Sequence, residues 1–376
     1  MKISEFKSGI FIPQVEYKSF LPEKINCEWI IDRPELATLL EEANLALGEL
    51  NAYSRHVPDV DTFIRMHVIK EATNSSRIEG TQTEIEEAAR HERLIVPEKR
   101  DDWHEVQNYI QAMNNAILSL KKLPLSSRLL REAHQTLMKG VRGQNKLPGN
   151  YRKSQNWIGG ASLKDAVYIP PHHTEINSLI SDLESFLHNR TIHVPHLIRI
   201  AIAHYQFEAI HSFLDGNGRI GRLLITLYLV SNQILHKPLL YLSTFFEKNR
   251  ELYYDNLNRV RSHNDLAQWI KFFLAGIIDT AQTAVSTLQK ILSLNEKLNN
   301  QILDLGKRAP LAKEIIQYLF KYPTITARDI IDEFKITKPT ANTMIKEFIR
   351  INILVEKTGY KRNRIYIFKK YLDLFI

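Results

Sequence analysis

The chain has 376 residues, of which 44% are hydrophobic and 24% are charged, and its formal net charge is +8. This composition is typical of an ordinary globular protein, and the length is sufficient for two or three domains. A single cysteine, Cys27, excludes a disulfide framework and a cysteine-based metal site, and it favours a reducing compartment. The first residues lack a basic and then apolar signal, and no apolar run reaches about 18 residues, so we expect a cytoplasmic protein without membrane spans.

Apolar residues repeat at helical spacing along most of the chain, which predicts a mainly α-helical fold. Residues 1–30 contain prolines and scattered aromatic residues, and we expect them to form an extended arm over the helical body. Helices are then expected at 34–53, 61–74, 101–121, 129–138, 195–210, 220–235, 246–261 and 266–305. The long helices also allow two copies of the chain to pair as a homodimer.

Residues 157–169 depart from this helical pattern. Two β-prone runs, Trp157-Ile158 and Val167-Tyr168-Ile169, flank a loop that contains two adjacent glycines. This arrangement predicts a β-hairpin. Because an isolated hairpin is not stable in water, it must lie on the helical body. A purely structural hairpin is the alternative to one that binds a partner.

Residues 308–376 differ in composition, since they contain 14 Lys and Arg against 7 Asp and Glu and therefore nearly all of the net positive charge. The expected elements are helices at 311–320, 326–334 and 338–351 and strands at 354–356 and 364–368. Three helices and a two-stranded ribbon with a basic tip resemble a winged helix-turn-helix. The charge favours nucleic-acid binding, with protein docking or dimer formation as the alternative.

If this part of the chain binds DNA, its third helix is the recognition helix and the tip of the ribbon touches phosphates. The recognition-helix candidates are Thr340, Asn342, Thr343 and Lys346. The ribbon candidates are Lys361, Arg362 and Arg364.

The densest chemistry lies in twelve residues between two apolar helices, His211-Ser-Phe-Leu-Asp-Gly-Asn-Gly-Arg-Ile-Gly-Arg222. The Gly-Asn-Gly turn at 216–218 requires residues that tolerate left-handed backbone, and a turn that opens a helix leaves N–H groups free to bind an anion. Arg219 and Arg222 add positive charge, so phosphate is the expected ligand. Asp215 would repel phosphate unless a hard cation such as Mg²⁺ lies between them. His211 suits proton transfer near neutral pH.

This run resembles the motif of the Fic (filamentation induced by cAMP) family, His-Pro-Phe-x-Asp/Glu-Gly-Asn-Gly-Arg-x-x-Arg. It matches at every position except the second, where Ser212 replaces proline. The resemblance implies a Fic-type helical bundle with a β-hairpin flap and a protein adenylyltransferase that uses ATP and Mg²⁺. Such an enzyme transfers AMP to a Ser, Thr or Tyr hydroxyl of a target protein. The implied roles are base for His211, metal ligand for Asp215, phosphate binding for Gly216, Asn217 and Gly218, and clamping of the β- and γ-phosphates for Arg219 and Arg222.

Upstream, Ser75, Glu79 and Gly80 resemble the inhibitory signature of the same family, Ser/Thr-x-x-x-Glu-Gly/Asn. The resemblance implies that Glu79 reaches Arg222, where its carboxylate replaces a phosphate oxygen in a bidentate arginine contact. The γ-phosphate of ATP would be mispositioned while that contact exists, so the enzyme would be autoinhibited.

Two further regions have implied roles. Asn249 and Tyr253, on the helix after the motif, would help to form the adenosine pocket. The hairpin at 157–169 would be the flap, which pairs with the target's chain by β-augmentation and holds its hydroxyl before His211.

The expected organisation is an N-terminal arm and helical region with the inhibitory motif at 1–100, a Fic catalytic core at 101–290, a helical connector at 291–307 and a winged helix at 308–376. Two alternatives to AMP transfer stay open. One is removal of AMP from a modified protein by the same site, with Glu79 orienting a water. The other is a DNA-binding regulator whose Fic core senses nucleotide or modifies only itself.

Overall fold

The computed structural model describes residues 1–56, 60–360 and 363–376, and it is mostly helical, which confirms the expected fold class. The helices are α1 Pro34–His56, α2 Val60–Ile78, α3 Ile85–Ala88, α4 Arg100–Ser119, α5 Ser127–Leu137, α6 Ile176–His188, α7 His196–Ile210, α8 Asn217–Ser231, α9 Ser243–Lys248, α10 Arg250–His263, α11 Leu266–Leu303, α12 Ala309–Lys321, α13 Ala327–Phe334, α14 Lys338–Arg350 and α15 Lys369–Leu372. The strands are β1 Gly9–Pro13, β2 Lys18–Pro22, β3 Thr324–Ile325, β4 Val355–Glu356 and β5 Tyr366–Ile367. Among the described residues, no helix is both long and apolar enough to cross a membrane.

The two helices that flank the twelve-residue motif form the centre of the molecule. Every residue of α7 after the first is buried, and so is nearly every residue of α8. The long helix α11 packs along α1 and against α7, where the Trp269 indole donates a hydrogen bond of 2.8 Å to the Ala201 carbonyl. It continues unbroken through residue 290 into the expected helical connector, in agreement with the helix expected at 266–305. The motif is therefore held between helices that are packed on all sides.

The N-terminal arm is more ordered than expected. It contains an antiparallel hairpin, β1 and β2, in which Gly9 pairs with Pro22. The prolines Pro13 and Pro22 lie at strand ends, where a missing N–H disturbs the ladder least. The Ser8 N–H and hydroxyl both donate to the Asn264 side chain, at 2.7 and 2.9 Å, and this fixes the arm on the core.

Several helices differ from the sequence expectation: the one expected at 246–261 is divided into α9 and α10, and α2 and α6 differ most. Helix α2 continues past Asn74 to Ile78, because Ser75 and Ser76 are fully buried against neighbouring helices and packing outweighs their low helix propensity. Gly80, with φ +100°, then allows the chain to leave the helix. Helix α6, which the sequence analysis did not predict, buries an apolar face against α7 and α5.

Residues 308–376, called the C-terminal module from here on, contain the three expected helices, α12 to α14. Its sheet has the order β3-β5-β4, so β3 adds a third strand to the ribbon that was expected to have two. Helix α13 begins with a capping box between Thr326 and Asp329, and the Thr337 hydroxyl caps α14. These signals explain why the helix limits were predictable.

The C-terminal module packs on α2. Phe320 lies edge-on to Phe63 and Phe375 edge-on to His67, with ring centroids 5.3 and 5.1 Å apart. The helix that leads to Glu79 is therefore shared between the helices around the twelve-residue motif and the C-terminal module.

Candidate active site

His211 follows α7 at a sharp change of chain direction. Its backbone is left-handed, with φ 48° and ψ 57°, and its N–H donates to the Phe207 carbonyl at 3.1 Å. A non-glycine residue in this conformation carries strain that surrounding contacts must offset. Burial is the main reason that the pKa of the imidazole falls to about 4, and Arg152 and Arg261 add to the effect. The side chain is therefore neutral near pH 7 and able to accept a proton.

Arg152, which the sequence analysis did not single out, holds this turn in place. Its guanidinium is buried and donates to the carbonyls of His211, Pro171 and Ser154, at 2.9, 2.6 and 3.2 Å. The backbone N–H of Arg152 donates to the Ser212 carbonyl at 2.9 Å. Burial lowers the pKa of Arg152 to about 10, so it stays charged at neutral pH. The loop is thus fixed although Ser212 replaces the usual proline.

The Gly-Asn-Gly turn exposes a row of backbone donors. Gly216, with φ +77°, precedes α8, and the Asn217 side chain both accepts from and donates to the Phe213 backbone at 2.8 Å. Within the described residues, the N–H groups of residues 217–219 have no acceptor. They stand at the start of a 15-residue helix, which is a favourable position for an anion. Any contact of Asn217 with phosphate would come from its backbone, because its side chain is already used.

Arg222 lies in the next turn of α8 and is almost completely buried. Its Nε donates to the Ser75 hydroxyl and its Nη2 to the Ser75 carbonyl, both at 2.9 Å, and Nη2 also donates to Glu79 Oε1 at 2.7 Å. The resemblance implied a bidentate contact between Arg222 and Glu79. Instead, Arg222 makes one hydrogen bond to Glu79 and two to Ser75. Burial opposes both charges, yet the attraction raises the pKa of Arg222 and lowers that of Glu79 relative to their ordinary values. The pair is charged at neutral pH.

Gly218 leaves the space that this pair needs. A Cβ at Gly218 would lie 2.3 Å from Glu79 Oε1 and 2.9 Å from Arg222 Nη1. Any side chain there would displace one partner. The Glu79 carboxylate therefore lies against the first turn of α8, beside the free N–H groups.

Polar side chains on one face of α2 fix the helix beneath Glu79. Glu71 accepts from the Ser243 N–H at 3.1 Å and from its hydroxyl at 2.5 Å, and Asn74 donates to the Thr244 hydroxyl at 2.8 Å. Burial raises the pKa of Glu71, although Ser243 opposes this. In the sequence of α2, polar residues recur at helical spacing among many apolar ones. This pattern indicates a polar contact along one face of the helix, and the sequence analysis missed it.

Arg219 and Asp215 differ in exposure. The Asp215 side chain is 43% exposed, whereas that of Arg219 is 5% exposed. Arg219 lies 3.4 Å from Asp215 and 3.6 Å from the buried Glu105, which Arg142 also contacts at 2.9 Å. The Arg219 Nε has no hydrogen-bond acceptor among the described residues. A buried guanidinium N–H without an acceptor is costly, so this site favours an anionic ligand.

Asp215 is the candidate metal ligand. No cluster of three or more His, Cys, Asp or Glu side chains suited to a metal occurs in the described ranges. An ion at Asp215 would take one protein carboxylate and complete its coordination with phosphate oxygens and water, as Mg²⁺ usually does. The Asp215 carbonyl is held at 2.9 Å by Nε2 of His134, whose Nδ1 accepts from the Gly149 N–H. The half-exposed carboxylate and the anion site beside it fit such an ion.

Glu208, three residues before His211, is a second residue that the sequence analysis missed. Its side chain is buried, and burial raises its pKa to about 7. A Cβ on Gly221 would lie 2.1 Å from Glu208 Oε1. Gly221 therefore serves the packing of α7 against α8, not phosphate binding.

Asn249 and Tyr253 are both engaged in internal contacts. The Asn249 amide donates to the Phe245 carbonyl at 2.9 Å. Tyr253 is 1% exposed, its hydroxyl lies 2.9 Å from His204 Nε2, and its ring stacks on Phe246 at 4.5 Å. Tyr253 could contact adenosine only through atoms that are buried in this structure.

The flap, residues 157–169, is held by one antiparallel bridge between Ile158 and Tyr168. The Tyr168 hydroxyl donates to the Ala209 carbonyl at 2.6 Å, and the Arg261 guanidinium lies 3.8 Å from the centre of the Tyr168 ring. These contacts fix the base of the flap beside the last turn of α7, next to the candidate base.

One edge of the flap is partly occupied by the N-terminal arm. The Phe20 N–H of β2 donates to the Ile169 carbonyl at 2.9 Å, a contact that the sequence analysis did not predict. Trp157 and Val167 remain 40% and 68% exposed. The flap thus keeps an exposed apolar surface while its base, at Ile169, is attached to the arm.

The candidate DNA contacts of the C-terminal module are mostly on its surface. The exposed ones are Thr340, Asn342, Lys346 and Arg364. Thr343 is half-buried, and its hydroxyl donates to the Pro339 carbonyl at 3.0 Å. Lys361 and Arg362 lie outside the described residues.

The site combines a neutral base, a helix start with free N–H groups and two buried arginines. Such a site suits a protein that binds a phosphate-bearing ligand next to a proton acceptor. Residues 37–118 match the profile of the Fic/DOC family N-terminal region, and residues 124–229 match that of the Fic/DOC family itself. The two matches together cover half of the chain. The chain belongs to the Fic/DOC family.

Two curated relatives illustrate the similarity. The protein adenylyltransferase Fic of Aedes aegypti is 27% identical over 239 residues, which are 62% of this chain and 42% of the relative. A probable protein adenylyltransferase of Aquifex aeolicus is 36% identical over 117 residues, which are 31% of this chain and 33% of the relative. The match thus spans less than half the length of either relative.

Solved structures share the fold. A Fic family protein from Desulfovibrio desulfuricans superposes with a TM-score of 0.58 at 22% identity, over 90% of this chain and 97% of that chain. A Fic domain containing signaling protein from Bacteroides thetaiotaomicron superposes with a TM-score of 0.55 at 17% identity, over 67% of this chain and 97% of that chain. At these identities the likeness concerns the fold alone.

Proposed function

We propose that this protein is a protein adenylyltransferase, which transfers AMP from ATP to a Ser, Thr or Tyr hydroxyl of a target protein. The main support is the neutral imidazole of His211 beside the free N–H groups of residues 217–219. The buried Arg219 and Arg222 add a binding surface for further phosphates. The printed names of the curated relatives agree with this reaction.

In this reaction His211 accepts the proton of the target hydroxyl, the hydroxyl oxygen bonds to the α-phosphorus, and the bond to pyrophosphate breaks. The N–H groups of residues 217–219 stabilise charge that develops on the α-phosphate. Arg219 and Arg222 hold the β- and γ-phosphates. Asp215 would hold Mg²⁺, which would supply positive charge to the phosphates of ATP. Most of the acceleration then comes from positioning and electrostatics, as is usual for phosphoryl chemistry.

Glu79 is proposed to inhibit the reaction. Its carboxylate bonds to Arg222 and lies against the first turn of α8, where the terminal phosphates would bind. Two anions in this space repel each other, so ATP must displace Glu79 or bind with its γ-phosphate misplaced. Because Glu79 is charged and one-third exposed, it is also able to orient a water, which supports removal of AMP as the second candidate activity.

The target protein is proposed to dock on the flap. Trp157 and Val167 offer exposed apolar surface, and the flap backbone offers hydrogen bonds for an extended chain. This mode of binding gives register with little sequence specificity.

The position of the transferred label tests the reaction directly. Protein incubated with ATP labelled at the α-phosphorus should become labelled, with release of pyrophosphate, whereas ATP labelled at the γ-phosphorus should leave protein unlabelled. The Glu79→Gly variant is the preferred enzyme for this measurement, with self-modification of the purified protein as the readout, because kinases in a lysate would themselves transfer the γ-phosphate. Label from the γ-position would show phosphorylation and would contradict the proposal.

The pKa of His211 predicts the acid side of the pH profile. Because the folded-state pKa lies near 4, the base stays neutral down to about pH 5, and labelling should change less than about twofold between about pH 5.5 and 7.5. With an unshifted pKa near 6.5, the rate would rise about tenfold over the same interval. The measurement is the initial labelling rate at ATP concentrations well below KM, which reports the pKa of the free enzyme, with circular dichroism at each pH as the control for folding.

A further inference from the structure

A groove of about 910 Å³ lies between the C-terminal module and the chain that follows α3. One wall contains the start of α13, the exposed side of α14 and the strand β5. The opposite wall is formed by Arg93 and Leu94, which belong to the N-terminal half of the chain. The groove therefore exists only because the C-terminal module is docked on the rest of the protein.

The groove is strongly basic. Its cationic lining residues are Arg93, Arg328, Lys338, Lys346 and Arg364, and its described lining contains no Asp or Glu. No described carboxylate forms an ion pair with Lys338 or Lys346, so their charges are available to a ligand. Arg93 and Arg328 pair with Asp329 and Asp332 at the edge of the groove, and the other three cations have no carboxylate partner among the described residues. Cations from four separate stretches of chain around an open groove suit a ligand with several phosphates better than a single small anion.

Arg93 is brought here by tertiary contacts. Its side chain is 48% exposed and pairs with Asp329, the residue that caps α13. A second pair, Lys357 with Glu86 at 3.2 Å, holds the same stretch of chain against the ribbon. These two ion pairs hold Arg93 next to the C-terminal module.

We propose that this groove binds the phosphate backbone of double-stranded DNA and that Arg93, from the N-terminal half, is one of its phosphate contacts. Asn342 of helix α14 is exposed and lines the groove, and amide side chains are suited to base edges. Lysines and arginines around it supply the phosphate contacts that position such a helix. The inference is independent of AMP transfer.

The test is binding of the full-length chain to a labelled duplex of mixed sequence and about 20 base pairs, two helical turns, measured by fluorescence anisotropy. Salt is varied between about 50 and 200 mM, because each phosphate contact contributes about 0.9 to the slope of log K against log salt. Arg93→Ala should reduce this slope by about 0.9 and weaken binding about tenfold at the lowest salt. Lys346→Ala should do the same.

Two variants serve as controls. Arg93→Lys keeps the charge and should keep most of the slope. Arg128→Ala removes an exposed arginine of α5 that pairs only with Glu132, and it should bind like the wild type. A parallel titration with polyglutamate tests whether the groove prefers an acidic polypeptide.

If Arg93→Ala leaves the salt dependence of duplex binding unchanged while Lys346→Ala reduces it, Arg93 is not a phosphate contact. Absence of duplex binding at the lowest salt, or polyglutamate binding as tight as duplex binding, would overturn the DNA site altogether.

Discussion

Replacing His211 by alanine should abolish protein labelling from ATP while the chain remains folded. The imidazole is a neutral proton acceptor next to the anion site, and loss of a general base costs between about a hundredfold and ten-thousandfold in rate. The measurement is the initial rate of label transfer from the α-phosphorus, made in the Glu79→Gly background so that the starting rate is high.

The matched control is His196→Ala. His196 begins the same helix, α7, but its ring contacts the Tyr228 hydroxyl at 2.8 Å, at the end of the helix away from the motif. This variant should retain activity within about twofold, and both variants should melt cooperatively. If His211→Ala keeps the activity of its parent, His211 is not the base and the proposed mechanism fails.

Glu79→Gly should raise the labelling rate between about tenfold and a hundredfold. The variant removes a charge-assisted hydrogen bond to Arg222, which is worth about 1.5–3 kcal/mol, and it frees the arginine for the γ-phosphate. Ser75 still holds Arg222 through two hydrogen bonds, so the guanidinium should remain in place. The comparison is the initial rate of self-labelling in the variant and the wild type at equal ATP.

Glu79→Ala separates loss of the carboxylate from added backbone freedom, and Glu98→Ala controls for loss of an unrelated exposed glutamate. Equal labelling by wild type and Glu79→Gly would disprove autoinhibition by this residue. The same pair of proteins also distinguishes the direction of the reaction. If Glu79 orients a water, wild type should release AMP from a pre-modified protein and Glu79→Gly should not.

Most of the helices were predictable because their signals are local. Apolar residues at helical spacing located α1, α7, α8 and α11. Helix α6 and the β1–β2 hairpin were missed. In short elements with prolines or mixed polarity, the repeat of apolar residues is too weak to be recognised in the sequence. Contacts with distant parts of the chain stabilise such elements.

By itself, the sequence determined the chemistry of residues 211–222, because a base, an acid, a glycine turn and two arginines within twelve residues must lie close together in any fold. The tertiary structure decided which distant groups meet them. Glu79 and Ser75 reach Arg222 across 143 and 147 residues of chain, and Arg93 reaches Asp329 across 236. Such contacts depend on how whole helices pack, which no local spacing of residue types encodes. For the same reason the buried Arg152 that holds His211, and the glycine at 218 that makes room for Glu79, acquired their roles only in the folded chain.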